Sequence, residues 1–188
     1  METENQFQLR KDKLIEAVLY LSERSADDPN FGVIKLVHLL YYADCATFLK
    51  RGSPVTGVTY LHFPHGPYPE HWYQIRREMQ AAGDVEVVYE DNDDGHRRYR
   101  MLPKRTVKPE VLTAEECAIL DEQRERFALF NTAGISEHSR HELGWRDTED
   151  GEPITYDTAG MIALPLSANA IRRGRKIADD IAKRRKSV

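Results

Sequence analysis

The feature that most constrains this chain is an apolar segment of helical period, from about Gly32 to Lys50. Leu36, Leu39, Leu40 and Ala43 fall on one face, and Ile34, Tyr41 and Phe48 widen the stripe beyond what a surface helix carries. A helix apolar over so much of its circumference has to be enclosed, so the spacing predicts a central helix with the rest of the chain wrapped around it. Gly52 suits a left-handed position just past its end, and Lys50 and Arg51 suit its negative terminus.

The flanking segments supply the wrapping. Leu14, Ala17, Val18 and Leu21 predict an amphipathic helix over about Leu9 to Arg24. Residues Ser53 to Pro64 read as extended, followed by a rigid turn, His65-Gly66-Pro67-Tyr68-Pro69, and a helix from about Glu70 to Ala82 with Pro69 in its first turn. Val85, Val87 and Tyr89 alternate across from Tyr99 and Met101, which predicts a β-hairpin that must pack on helices or on the Ser53–Pro64 segment. Thr113 and Glu116 form a capping-box pattern that opens a helix to about Asn131, broken by Gly134. A short helix, Ile135 to Leu143, has Ser136 as its cap, and Ser167 caps a last helix to about Arg185. The expected fold is α+β, mostly helical, with a small antiparallel sheet made from the hairpin and the Val55–Phe63 stretch. Residues 1–165 are expected to form one domain, and 166–188 a basic C-terminal helix packed on it or extending from it.

With 188 residues, a core forms without staples. Two cysteines, Cys45 and Cys117, exclude a disulfide framework and a four-thiolate zinc site. Apolar residues nowhere run to the 18 or so that a bilayer span needs, and Met1 to Lys13 carries no apolar signal core, so the expected setting is the cytoplasm. Charge is unevenly placed. Residues 171–188 hold eight of the 27 basic residues and two of the 31 acidic ones, a local +6 that leaves −10 on the first 170.

No Gly-rich phosphate loop, nucleophile elbow or H-E-x-x-H pattern is present. His138 and His141 share a helical face by spacing, and with a carboxylate such as Glu142 they define one alternative, a metal-dependent hydrolase. Against it stands the plainer assignment of His141 as a buried or interfacial polar group and His138 as solvated. Cys45 and Cys117 read as small buried hydrophobes. The basic helix bearing Arg172, Arg173, Arg175 and Lys176 defines a second alternative, a nucleic-acid-binding module. Its rivals are docking to an acidic partner and a solvated helix whose cations complement its own negative end. Tyr68, Trp72 and Tyr73 cluster where a recognition surface or a core boundary is expected.

Two ordered sets of residues go further. One is Ile34-Lys-Leu-Val-His-Leu-Leu-Tyr-Tyr-Ala-Asp44, followed by Gly52-Ser-Pro-Val-Thr-Gly57, Tyr60 and His65-Gly66-Pro67. The other is Ile135-Ser-Glu-His-Ser-Arg-His-Glu142 with Trp145 and Glu152-Pro-Ile-Thr-Tyr156. Together they resemble the Panacea domain, the family containing the SocA-type antitoxins, from about Leu9 to Tyr156. The resemblance implies a non-enzymatic protein without cofactor or metal that neutralises a cognate protein toxin by direct contact. It also implies kinship with an adaptor that delivers its toxin to an AAA+ protease, and with genes found near phage genes. No membrane or nucleic-acid partner is implied, and no oligomeric state. Lys35, Leu36, Leu39, Leu40, Tyr41, Asp44, Gly66, Pro67, His141 and Trp145 are then expected to determine the fold, with Asp44 holding the Gly66-Pro67 turn and His141 and Trp145 clasping the second half onto the first. The toxin-contacting surface is expected in the aromatic turn (Tyr68, Trp72, Tyr73), the hairpin or the basic tail.

Overall fold

The computed structural model describes residues 7–91 and 97–158. Its helices are α1 (Lys11–Arg24), α2 (Val33–Arg51), α3 (Trp72–Ala81), α4 (Ala114–Arg126), α5 (Thr132–Arg140) and α6 (Leu143–Arg146). Its strands are β1 (Tyr60–Phe63), β2 (Gly66–Pro69), β3 (Val85–Asp91), β4 (Arg97–Pro103) and β5 (Pro153–Ile154), followed by a 3₁₀ turn at Tyr156–Thr158. The fold is α+β and mostly helical. Among the described residues no helix is long and apolar enough to cross a membrane. The expected last helix, with Arg172, Arg173, Arg175 and Lys176, lies outside the described residues.

Helix α2 is central, as its composition requires. It touches α1, α4, α5, β2, β4 and the 3₁₀ turn, and Leu36, Val37, Leu39, Leu40, Tyr41 and Ala43 are all buried. Gly52 closes it with φ 74°, its N–H bonded to the Phe48 carbonyl at 2.7 Å. Helix α1 adds Leu14, Ala17, Val18 and Leu21 to the same core. The capping box of α4 forms in full: Thr113 Oγ1 accepts from Glu116 N–H at 3.2 Å, and the Glu116 carboxylate accepts from Thr113 N–H at 3.0 Å.

The β structure differs from the expectation. The 85–103 hairpin stands alone as β3–β4, with Tyr89 opposite Tyr99 and Val87 opposite Met101. A separate antiparallel sheet has the order β2-β1-β5, pairing Phe63 with Gly66 and Tyr60 with both Pro69 and Ile154. The His65–Pro69 turn is therefore largely a strand, and Pro69 belongs to β2 rather than to α3. Strand β2 lies at the sheet edge, where Pro67 and Pro69 forfeit no ladder hydrogen bond.

The α4–α5 region also differs. Helix α4 stops at Arg126 because Phe127 turns into the core, and α5 starts at Thr132, capped by Asn131, whose side chain accepts from Gly134 N–H at 2.9 Å. Gly134 thus sits in the first turn of α5, and Ser136 is a buried residue of that helix rather than its cap.

Buried ions tie the elements together. Glu16 on α1, 2% exposed, accepts from Arg105 at 2.6 and 3.0 Å and from the Lys108 N–H at 2.8 Å, while Arg105 also reaches Asp84 at 2.6 Å. This fastens the chain beyond β4 to α1. Replacing Glu16 with Ala leaves Arg105 with Asp84 alone and deprives the Lys108 N–H of its acceptor, so urea unfolding should show a loss of about 1–3 kcal/mol. A loss below about 0.5 kcal/mol would mean the pair is only a surface contact.

Candidate functional site

The residues of the two ordered sequence sets meet along the polar positions of α2. His38 is fully enclosed. Its Nδ1–H donates to the Ile34 carbonyl at 2.7 Å, and its Nε2 lies 3.1 Å from Ser139 Oγ on α5. Ser139 Oγ also lies 2.9 Å from the Ser136 carbonyl, so its one hydroxyl proton is shared between that oxygen and His38 Nε2. Gly66, at the start of β2, presses on the same pair. A Cβ there would come within 2.5 Å of His38 Nε2 and closer still to Ser139 Oγ, and the backbone has φ 108°. Only glycine fits this junction of α2, β2 and α5. Pro67 is buried beside it. Burial lowers the His38 pKa to about 4, against the opposing pull of the Ile34 and His65 carbonyls.

Asp44, one helical turn and a half further on, does not hold the Gly66-Pro67 turn as expected. Its carboxylate accepts from Thr56 N–H at 2.6 Å, from the Thr56 hydroxyl, and from the Tyr60 hydroxyl at 2.9 Å. It therefore fixes the extended segment leading into β1, which enters next to α2 because of these three donors. Burial pushes Asp44 up to about 6 in spite of them. Lys35, 1% exposed, reaches the other way, to Asp28 at 2.7 Å and the Ala128 carbonyl at 3.2 Å. It ties the α1–α2 loop to the end of α4.

Tyr41 and Tyr42 form the third contact. Tyr41 donates to Glu142 at 3.3 Å and packs edge-on against Tyr60 at 5.1 Å. Tyr42 stacks on Phe127 at 4.5 Å. Burial raises the Glu142 pKa, opposed by the Tyr42 and Tyr41 hydroxyls. The Cys45 thiol is buried and pushed up by desolvation.

The clasp between the two halves is made by one of the two residues expected to make it. Trp145 serves: its indole N–H donates to the Phe63 carbonyl at 3.1 Å and its ring stacks on His62 at 4.0 Å. His141 does not. Its side chain is 61% exposed, with Nδ1 turned back to the Glu137 carbonyl at 2.8 Å. Ile135, Ser136 and Ser139 form the buried face of α5, and at about 100° per residue position 141 points away from it. His138, expected in solvent, packs at 5.4–5.9 Å on Phe127, Phe130 and Tyr42. His138, His141 and Glu142 thus face three different surroundings. Among the described residues no three His, Cys, Asp or Glu side chains gather as a metal site would need.

Of the expected partner surface, Trp72 is removed by burial at 2% exposure, where it lies in the core with Ile75 and Met79. Tyr68 is half-buried and Tyr73 is exposed. The sequence reading missed His38, Ser139 and Thr56 as individual participants. The available signal was a charged or imidazole side chain inside an otherwise apolar helix face, which requires a buried partner.

The sequence matches the family described as antitoxin SocA-like, Panacea domain, over residues 36–146. The chain belongs to the SocA-like Panacea family. The Panacea match starts inside α2 and ends with α6, so it holds both sides of the His38–Gly66–Ser139 junction and the Trp145 clasp. No curated protein and no solved structure matches the chain.

Two measurements probe the Panacea core. Gly66→Ala introduces both a clash and a strained φ, so it should cost more than about 3 kcal/mol or prevent folding; near wild-type stability would mean β2 is free to shift. The pH profile separates His38 from Asp44. The folded His38 pKa lies below its ordinary 6.5, so its contribution is fully present above pH 6.5 and is lost as pH falls towards 4. The folded Asp44 pKa lies above its ordinary 3.8, so its contribution is present below that value and is lost as pH rises through about 6. The two oppose each other in the wild type. In His38→Gln the acid loss vanishes, and stability relative to wild type should grow by about 3 kcal/mol between pH 6.5 and 4. Parallel profiles for the two proteins would show that His38 is not held neutral.

Proposed function

We propose that this chain is an antitoxin that binds a cognate protein toxin and blocks it by direct contact, acting in the cytoplasm by recognition rather than by bond-making. The observation that carries the reading is the family match over residues 36–146. What supports recognition over catalysis is the use to which the polar groups of the core are put. Among the buried titratable groups, His38, Asp44 and Glu142 are each turned onto their own chain: Ser139 and Ile34, Thr56 and Tyr60, and Tyr41. Such groups fix a fold and leave the surface to meet a partner.

The test is co-expression with the product of the adjacent open reading frame. That product alone should arrest growth, and this chain should restore it. Rescue should survive His141→Ala, since that side chain is exposed, and should fail with Gly66→Ala, which removes the folded scaffold. A neighbour that is harmless alone, or one that still kills in the presence of this chain, would overturn the reading.

A further inference from the structure

Outside the buried junctions, one surface is composed unlike the rest. Arg76 on α3 has its guanidinium carbon 5.0 Å from the ring centres of both Tyr73, on the same helix, and Tyr99, on β4. Arg77 lies 5.8 Å from the Tyr73 ring. Tyr99 continues to Tyr89 at 5.8 Å across the hairpin. Burial, and then the neighbouring Tyr99, push up the hydroxyl of Tyr68 on β2. Three elements therefore build one continuous face of tyrosine rings and guanidinium groups. Tyr73 is 64% and Tyr89 55% exposed. Tyrosine and arginine are the side chains in which interface binding energy concentrates.

The charge on this face is what names the occupant. Most cations of the described residues are neutralised within the chain: Lys13 and Arg51 by Glu116, Lys50 by Glu115, Lys104 by Glu86, Arg105 by Glu16 and Asp84. Arg76 and Arg77 have no carboxylate within ion-pair distance among the described residues. The carboxylate of α3, Glu78, is taken by Lys11 and Gln74. Arg76 Nε is buried without a hydrogen-bond partner among the described residues. A cation held over two rings has already lost much of its side-chain freedom, and its ring-covered faces leave its edge for a carboxylate.

We propose that this β2–α3–hairpin face is the docking site for an acidic segment of the partner protein, one presenting Asp or Glu carboxylates beside apolar side chains. The carboxylates would pair with Arg76 and Arg77, and the apolar groups would cover Tyr73 and Tyr89. A nucleic acid fits less well. Two guanidinium groups neutralise few phosphates, and the exposed tyrosine rings beside them favour apolar side chains over a phosphate backbone. The proposal rests on the antitoxin reading for the identity of the partner, but the chemistry of the face can be tested without it.

The first arm uses the full chain and a short fluorescein-labelled peptide alternating Glu with Leu and Phe, read by fluorescence anisotropy. Binding should weaken with added salt and fall about tenfold or more in Arg77→Glu and in Tyr73→Ala, both exposed positions, and in Arg76→Glu where circular dichroism shows it folded. Glu122→Ala on α4 should bind as wild type does, and the same peptide with Lys for Glu should not bind. Absence of binding, binding indifferent to all three variants, or tighter binding of a single-stranded oligonucleotide at the same face each overturn the proposal. The second arm measures the product of the adjacent open reading frame by calorimetry. If it binds equally well to wild type, Arg77→Glu and Tyr73→Ala, the docking site is wrong and the antitoxin reading stands. If it does not bind at all while the acidic peptide does, the antitoxin reading fails and the acidic-segment site stands.

Discussion

Enclosing α2 on every side leaves its polar residues with nowhere to go but onto neighbouring elements. Lys35, His38, Tyr41 and Asp44 sit among leucines on a buried helix. Each finds its partner on a different part of the chain: the Asp28 loop, Ser139 on α5, Glu142 beyond α5, and Thr56 and Tyr60 leading into β1. An unpaired buried charge costs several kcal/mol, so an arrangement that fails to deliver any one partner is heavily penalised. The apolar stripe drives collapse onto α2 without saying in what order the elements arrive. The polar contacts set that order, because a slipped register would strand them.

Gly66 shows how tightly this is drawn. Its missing Cβ lets β2 approach His38 and Ser139 at once, so α2, the small sheet and α5 share a single point of contact. The imidazole there is neutral because burial outweighs the carbonyls that would favour its charged form. Asp44 meets the same balance with the opposite sign of shift, since it is an acid whose three donors only partly offset its burial. The core therefore holds an acid and a base that respond to pH in opposite senses, which flattens the dependence of stability on pH across the range where either alone would steepen it.

What could be read from the sequence follows the range over which each signal acts. The α2 stripe, the α1 face, the Gly52 terminus and the Thr113–Glu116 box are local, decided by residues three or four apart, and they stand in the structure. Strand β1 lies within the segment expected to be extended, but its pairing was not legible. Strand β5 has only two residues, and β2 carries two prolines, so neither has a period to detect; their pairing with β1 is set by contacts some 90 residues apart in the case of Tyr60 and Ile154. The same limit explains the exchange of roles on α5. His138 and His141 share a face by spacing, but which face is buried was decided by Ile135 and Ser139 meeting α2, and no local signal reports that. Trp72 likewise looked like a surface aromatic until α3 laid it against the core.

The Tyr–Arg face is held in place by contacts that lead back to the same core. Strand β4 is fastened to the α1–α2 loop by Arg98, which donates to the Pro29 carbonyl, and by Arg100, whose guanidinium reaches the Ser25 and Ala26 carbonyls at 3.1 and 2.9 Å. That loop is held in turn by Asp28 on Lys35 of α2. On the other side, β2 is set by the Gly66 junction and α3 by Trp72, Ile75 and Met79. The rings of Tyr68 and Tyr99 thus stand on strands tied back to α2, and Tyr73 stands on a helix whose apolar side chains are buried in the core. A face positioned in this way loses little conformational entropy when a partner settles on it, so more of the contact energy remains as affinity. In the docking proposed above, the buried polar groups would act through geometry alone, by fixing where the side chains of that face stand.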